Sequence, residues 1–404
     1  MMSQRDFVIL TDVNADLPVS YTEAENIGVI SMSIQIDGKS YEPGKDIDAD
    51  TFYKMMRAGK EPTTAASNPH QYEQAFKQVL DSGKDVLYLA FSSALSSSYQ
   101  SAVMAREMLE EEYCAGTKST AYQGQTENAK NEINKGIQNI IDKNTENSKN
   151  QRNQDIESET NEDKDNRADT ESVGNIHFPS IIIIDTLSGS MGQGLLVYKA
   201  NELKKQGKSL DEVVTWCEAN KRNICHEFVL DDLMHMHRGG RLSKNSAILG
   251  SLLHVKPLIY LDDESKVLSS GHVRGSKKAI RMLIERMAKC MESRESKGGS
   301  NCIDGKTQES VFEDKPFENK EDIVQEPVVK NMPENTVTSA KDFISQNQDM
   351  IMICHSDCEQ AALQLKEQIE ETFGFKNIMI HTAGPVIGCH AGPGAVGVFF
   401  MGER

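Results

Sequence analysis

A single imidazole, His390, stands in a run of glycines and small apolar residues, Gly384-Pro385-Val386-Ile387-Gly388-Cys389-His390-Ala391-Gly392-Pro393-Gly394-Ala395. Glycine in such numbers carries an entropic cost and marks close backbone approach or φ > 0. A His on a Gly-rich turn, followed by the β-branched and aromatic run Val396 to Phe400, suits the wall of a pocket. An incidental turn histidine is the plain alternative. A second candidate is Arg238-Gly239-Gly240-Arg241. Two glycines between guanidiniums leave backbone N–H groups free beside positive charge, a corner suited to an anion. For Arg241 the plain alternative is a cap on a helix end. A third is the hydroxyl-rich stretch Ser92-Ser93-Ala94-Leu95-Ser96-Ser97-Ser98-Tyr99. Ser96 with His390 has the residue types of a nucleophile and base, but no G-x-S-x-G elbow surrounds Ser96. Cys354-His355-Ser356-Asp357-Cys358 carries zinc-ligand types, yet follows an apolar run and lacks a second ligand pair.

The elements that must position these residues follow from the hydrophobic pattern. Phe7 to Leu10 is an apolar strand ending at Asp12, and Val86 to Phe91 and Ile181 to Ile184 are continuous apolar runs of the parallel-sheet kind. A helix is expected to start with Asp16 and Pro18 together and run to about Asn26, with Ser20 and Glu23 as an alternative capping-box start. Further helices fall at Asp50–Ala58, Gln71–Ser82, up to Tyr113, and Met191–Gln206. Val29 to Ile36 alternates as one half-buried strand, turning at Asp37-Gly38. Strand, loop and helix in repetition mean right-handed crossovers, with ligands outside the carboxyl ends of the strands. Asp12, Ser96 and Asp185 then share one rim. The second half mixes directions. Strands at Glu227–Leu230, Val255–Leu261, Val267–Val273, Met350–Cys354 and Lys376–His381 alternate with helices at Asp211–Arg222, Ser276–Cys290 and Glu359–Phe373. Pro257 suggests an edge strand or a bulge.

Composition sets outer limits. The chain of 404 residues has room for two domains, but 38% apolar content and a mean hydropathy of −0.50 are low for one globule. Two polar stretches, about 114–175 and about 293–333, account for this. They read as disordered surface insertions, the first able to form an amphipathic helix over Asn128–Asp142. A net charge of −17 argues against nucleic acid or an anionic membrane as the main partner. The eight cysteines contain no C-x-x-C, which indicates neither a disulfide framework nor a zinc ribbon. No signal peptide precedes Asp6 and no apolar run approaches a membrane span, so a cytoplasmic protein without integral membrane contact is expected.

Several segments together resemble the DegV family, bacterial fatty-acid-binding proteins. They are Leu10-Thr11-Asp12 with Ala15-Asp16-Leu17-Pro18, Pro62-Thr63-Thr64, Ser92 to Ala102 and Ile184 to Gly194. Arg238-Gly239-Gly240-Arg241, Lys256-Pro257, Val273-Arg274 and Gly384 to Phe400 complete the set, in the family's order. The chain departs from the pattern at Val13-Asn14, where the family has Ser-Thr. It departs again at Thr64-Ala65-Ala66-Ser67-Asn68, where the family has Thr-Ser-Gln-Pro-Ser, and at Ala94-Leu95-Ser96-Ser97 in place of Gly-Leu-Ser-Gly. The altered loop bears on pocket shape and acyl preference.

The resemblance implies a two-domain fold. Residues 1–222 would form a three-layer α/β/α domain with a parallel sheet, and residues 223–404 an α+β domain with a mixed sheet. It implies a long-chain fatty acid in a tunnel between them, its carboxylate held by Thr64, Ser96, His390 and Arg241. The last two would supply positive charge for a desolvated anion. It further implies a lipid-binding protein rather than an enzyme, with no cofactor or metal beyond the bound acid. A dihydroxyacetone-kinase-like fatty acid kinase subunit would phosphorylate the presented carboxylate, docking near Arg274. Two other readings stand beside it: a hydrolase or acyltransferase using Ser96 and His390, and an interaction protein whose insertions are the active part.

Overall fold

In the computed structural model the described residues are 6–65, 68–116, 180–242, 255–291 and 348–404, with side chains described to residue 113 in the second segment. The two expected insertions, including Asn128–Asp142, lie outside the described residues except for 114–116. From the start, β1 (Phe7–Asp12) leads through α1 (Val19–Ala24) to β2 (Gly28–Ile30). Next come the hairpin β3 (Ile34–Ile36) and β4 (Lys39–Tyr41), α2 (Ala49–Arg57) and β5 (Thr63–Thr64). Then follow α3 (Pro69–Leu80), β6 (Asp85–Ala90), α4 (Ser98–Gly116), β7 (Ile181–Asp185), α5 (Met191–Lys205) and α6 (Leu210–Asn220). The second half contains β8 (Ile224–Val229), α7 (Met234–Arg238), β9 (Val255–Leu261), β10 (Val267–Arg274) and α8 (Ser276–Cys290). It closes with β11 (Ile351–His355), α9 (Glu359–Phe373), β12 (Ile378–Thr382), α10 (Pro385–Ala391) and β13 (Val396–Met401).

The apolar runs of β1, β6 and β7 pair in parallel, with β2 on the outside, in the order β2-β1-β6-β7. Period-two alternation sends Leu10, Val86 and Tyr88 toward Tyr72 and Phe76 of α3 and Leu109 of α4. Phe7, Ile9, Leu87 and Leu89 face the opposite way, onto Leu195 of α5 and Val213 of α6. The second sheet runs β10-β9-β8-β13-β11-β12, antiparallel except for β11 with β12. Leu283 and Ile284 of α8 and Leu365 and Ile369 of α9 cover one face of it. Its other face meets α5, whose Leu195, Leu196 and Val197 share a core with Met352, Phe399 and Met401. Helix α5 therefore lies between the two sheets, and Met191 to Val197 are all buried, as a helix with core on every side requires.

Four local expectations are corrected. The alternation from Val29 to Ile36 is two strands. Val29 lies in β2 beside β1, whereas Ile34 and Ile36 belong to a small sheet β4-β3-β5 packed on Phe52 and Tyr53. Period two reports which face is buried, not which strand is the neighbour. Neither expected cap begins α1, since Pro18 occupies the N-cap position, and Asp16 is turned elsewhere at φ 50°. Pro257 is on neither an edge nor a bulge. Strand β9 is paired on both sides, and Pro257 lies just past the last β8–β9 pair, Val229 with Leu258. Leu230 N still donates to Pro257 O at 3.1 Å, but Pro257 has no N–H to return the bond, so the β8–β9 ladder ends there; the irregularity falls on the edge strand β10 between Ser269 and Gly271. The segment after Gly384 is helical, not a Gly-rich turn: Pro385 opens α10, where a missing N–H does no harm.

One glycine lets α5 approach strand β8 of the second sheet closely. A Cβ on Gly192 would overlap the Nε2 of His226, which is itself buried with no hydrogen-bond partner among the described residues. The ring is not free to yield. Its Nδ1 is 2.9 Å from Ile224 O, and Phe399 meets it edge-on at 5.5 Å between ring centres. Gly192→Ala should destabilise the fold by about 1–3 kcal/mol through overpacking, read as a lowered midpoint of urea unfolding. An unchanged midpoint would show that β8 accommodates the methyl group.

Candidate functional site

Where the rim of the first sheet faces the second, the chain forms a partly open cavity of about 90 Å³. Its walls are largely apolar: Met32, Phe91 and Leu95 from the first half, and Phe228, Leu230, Ile259, Leu261 and Val267 from β8, β9, β10 and their connections. Polar side chains on the same lining are Asn14, Thr64, Ser96, Ser190, Arg241 and His390.

The four residues expected from the sequence to share a site are brought together. Thr64, on β5, is held in the small sheet by pairing with Ile34, and its Oγ1 lies 3.2 Å from His390 Nε2. His390 sits in the last turn of α10, half-buried, and a Cβ on Gly239 would overlap its Nδ1. This is a physical use for the glycine pair after α7: the backbone approaches the imidazole too closely for a side chain. Arg241 follows, its Nε donating to Leu95 O at 2.9 Å and its Nη1 to Gly239 O. Those two carbonyls aim the guanidinium, and Leu95 leads directly to Ser96. The Oγ of Ser96 accepts from Ser98 N at 3.2 Å and lies 2.8 Å from Ser98 Oγ, so it also caps the start of α4.

The charge on this cluster is Arg241's. Burial, with the guanidinium of Arg241 second, pushes the pKa of His390 down to about 4, so its ring is neutral near pH 7. This corrects the expectation of two cations: a neutral imidazole contributes hydrogen bonding only. Burial also lowers the pKa of Arg241, which remains charged.

The acidic residues of the rim have other partners. Asp12 accepts from Tyr88 Oη at 2.7 Å, Phe91 N at 3.2 Å, Asn14 N at 3.0 Å and Asn14 Nδ2 at 2.7 Å. Asp185 accepts from Ser93 N at 3.2 Å and Leu187 N at 3.0 Å. Both tie down rim loops, and neither lines the cavity. Among the hydrogen bonds of the described residues none joins Ser96 to His390 or to Asp185, so no nucleophile–base pair is assembled there. Arg274 ends β10 on the surface, outside the cavity lining. Among the described residues no group of three or more His, Cys, Asp or Glu side chains is placed to hold a metal, and no helix is long and apolar enough to cross a membrane.

Sequence reasoning passed over Asn14 and Ser190 as lining residues and misread Asp16. The Asp16 carboxylate accepts from Ser190 Oγ at 2.6 Å and from Gly384 N at 2.7 Å. Burial raises its pKa to about 7. No local signal marks a partner 368 positions away.

Fold and site together define a two-domain α/β protein with a cavity apolar along its walls and polar at the Thr64–His390 contact. The sequence profile described as "Uncharacterised protein, DegV family" matches residues 6–311 and 324–403. The chain belongs to the DegV family. A DegV domain-containing protein of Clostridium perfringens is 30% identical over 401 residues, 99% of this chain and 98% of that one. Solved structures agree in fold. A fatty-acid-binding DegV family protein from Thermus thermophilus superposes with a TM-score of 0.63 at 19% identity, covering 98% of this chain and 99% of that one. A stearic acid-binding protein from Eubacterium ventriosum does so at 0.63 and 17%, covering 98% of each.

The low pKa of His390 has a measurable consequence. Between about pH 6.5 and 4 the unfolded chain protonates this residue while the folded chain does not. Its contribution to stability is therefore full above about pH 6.5 and is lost as pH falls toward 4. Asp16, raised to about 7, has the opposite sign, so the residue must be isolated by substitution. Between pH 6.5 and 5 the wild type should lose about 1.5 kcal/mol more stability than His390→Gln in urea unfolding. Parallel losses in the two proteins would mean that His390 titrates normally.

Proposed function

We propose that this chain binds a long-chain fatty acid in the cavity between its two sheets and presents the carboxylate to a separate kinase for acyl-phosphate formation. The observation that carries the reading is one partly open cavity with apolar walls and a cluster of two hydroxyls, an imidazole and a guanidinium. Thr64 and Ser96 donate hydroxyl hydrogen bonds to the carboxylate and Arg241 supplies the counter-charge, while neutral His390 donates its one N–H, on Nε2, to Thr64 Oγ1 and so leaves that hydroxyl's proton for the ligand. Such a group leaves water only when both its charge and its lone pairs are matched. The names of the Thermus and Eubacterium proteins, which state fatty acid and stearic acid binding, support the ligand class. The kinase partner, dihydroxyacetone-kinase-like, comes from the family resemblance, as does a boundary between the domains at 222/223. On this reading the chain carries the substrate and the partner does the chemistry. Ser96 is engaged with Ser98 rather than with a base, which disfavours hydrolysis.

Replacing Thr64 or Ser96 with Ala should each cost about 1–3 kcal/mol of binding, because a charge-assisted hydrogen bond is lost in a dry site. Denaturing mass spectrometry of purified protein reads the outcome. If the double variant keeps its melting temperature and carries as much fatty acid as wild type, the carboxylate is held elsewhere.

Arg274, exposed at the end of β10 with Lys277 and Lys278 following, is a small basic patch on a chain of net charge −17. Such a patch orients encounter with an acidic partner surface. Arg274→Ala should leave bound lipid intact and raise the concentration of this chain needed to support acyl-phosphate formation, more so at low salt. Unchanged kinase kinetics at low salt would remove Arg274 from the docking surface.

A further inference from the structure

One buried acceptor in the cavity is unused. Asn14 is fully buried and lines the cavity, and its Oδ1 has no hydrogen-bond partner among the described residues. Its orientation is set by the other end of the amide. Nδ2 donates to Asp12 Oδ1 at 2.7 Å and contacts Met32 Sδ at 2.9 Å. Flipping the amide would place an oxygen against the Asp12 carboxylate, which is already the acceptor of Tyr88 Oη and two backbone N–H groups. An orphaned buried acceptor is uncommon and costly, because it has given up water for nothing.

The position of Asn14 restricts what can satisfy it. Met32 Sδ also touches Ser98 Oγ, at 3.9 Å, and Ser98 Oγ is 2.8 Å from Ser96 Oγ. Asn14 therefore lies at the polar end of the cavity, one sulfur and one hydroxyl removed from Ser96. A carboxylate cannot be its partner, since oxygen would face oxygen without a proton. Along an unsubstituted alkyl chain Oδ1 meets only methylenes and stays unpaired.

We propose that Asn14 is a specificity-determining residue and that the preferred ligand is a long-chain acid bearing a hydroxyl group near its carboxyl end, at carbon 2 or 3, which donates to Asn14 Oδ1. The inference rests on the fatty-acid reading of this cavity and adds the substrate class. A site that hydrogen-bonds a hydroxyl gains both the bond and relief of the buried acceptor, so the preference is strong for one small group. Because the amide is fixed, one enantiomer fits better than the other.

The test uses delipidated full-length protein and displacement of a fluorescent fatty acid by octadecanoic acid and its 2-hydroxy, 3-hydroxy and 12-hydroxy derivatives, with enantiomers separated where available. One 2-hydroxy or 3-hydroxy isomer should bind about fivefold or more tighter than the parent acid, and the 12-hydroxy acid no tighter. In Asn14→Leu or Asn14→Ala the ratio of hydroxy acid to parent should fall to about one. The wild-type comparison stands even if both variants misfold. Binding of the parent acid with no gain from a hydroxyl at carbon 2 or 3 overturns this inference and leaves the fatty-acid reading standing. Equal gains for the 12-hydroxy acid overturn it as well, and binding of none of these acids overturns both readings.

Discussion

The carboxylate of Asp16 is the tie on which the site's geometry depends. It is buried between the sheets, at φ 50°, and receives the hydroxyl of Ser190 and the backbone N–H of Gly384. Ser190, also at positive φ, begins α5, the helix between the sheets, and Gly384 begins α10, which carries His390. Two non-glycine residues in that region cost on the order of 1–3 kcal/mol each and persist only where surroundings hold them. Here each holds the other. Cys354 Sγ, 3.6 Å from the same carboxylate, adds β11 to the junction. One side chain thus fixes the entry of the central helix, the start of the histidine-bearing helix and a strand of the second sheet relative to the rim of the first.

Everything around the cavity follows from holding these segments while leaving space between them. Alternation along β8 and β9 puts Phe228, Ile259 and Leu261 on the face toward the first half. The bulky face of the first sheet is taken up by α5 and does not fill the gap. The rim loops that close the space are tied by Asp12 and Asp185, which accept backbone N–H groups instead of facing the lining. Their charges are thereby kept out of the cavity, leaving Arg241, among the described residues, to set its sign in a chain that is strongly acidic as a whole.

Much of this was legible in the sequence, for identifiable reasons. The continuous apolar runs of β1, β6 and β7 read correctly because a strand buried on both faces needs no partner information to be recognised. Helix α9, Glu359–Phe373, was delimited by its pattern alone. Thr64 and His390, 326 positions apart, were joined only by family resemblance, since no local rule links them. What escaped were features decided by tertiary partners. The split at Ser31–Ser33 is a change of neighbour within an unbroken alternation. Helix α10 contains Pro385 and Gly388 and is stabilised by burial of Val386 and Cys389 against Phe52 and Tyr53 rather than by propensity. An Asp just before a helix reads as a cap, and although Asp adopts positive φ more readily than most residues, nothing local tells that use from capping.

The electrostatics of the polar end bear on what the cavity can hold. Two cations in a dry pocket would repel each other and favour a doubly charged ligand. One permanent cation beside an imidazole kept neutral by that same cation matches a single negative charge. Burial and Arg241 both act against protonation of His390. An anion between them would neutralise the second effect and raise the imidazole's pKa, so occupancy and protonation of this residue are linked in sign. Thr64, whose hydroxyl meets Nε2, would follow any change in which ring nitrogen carries the proton. By charge count, one cation beside a neutral imidazole matches one negative charge better than two, and the apolar walls begin one residue away at Leu95.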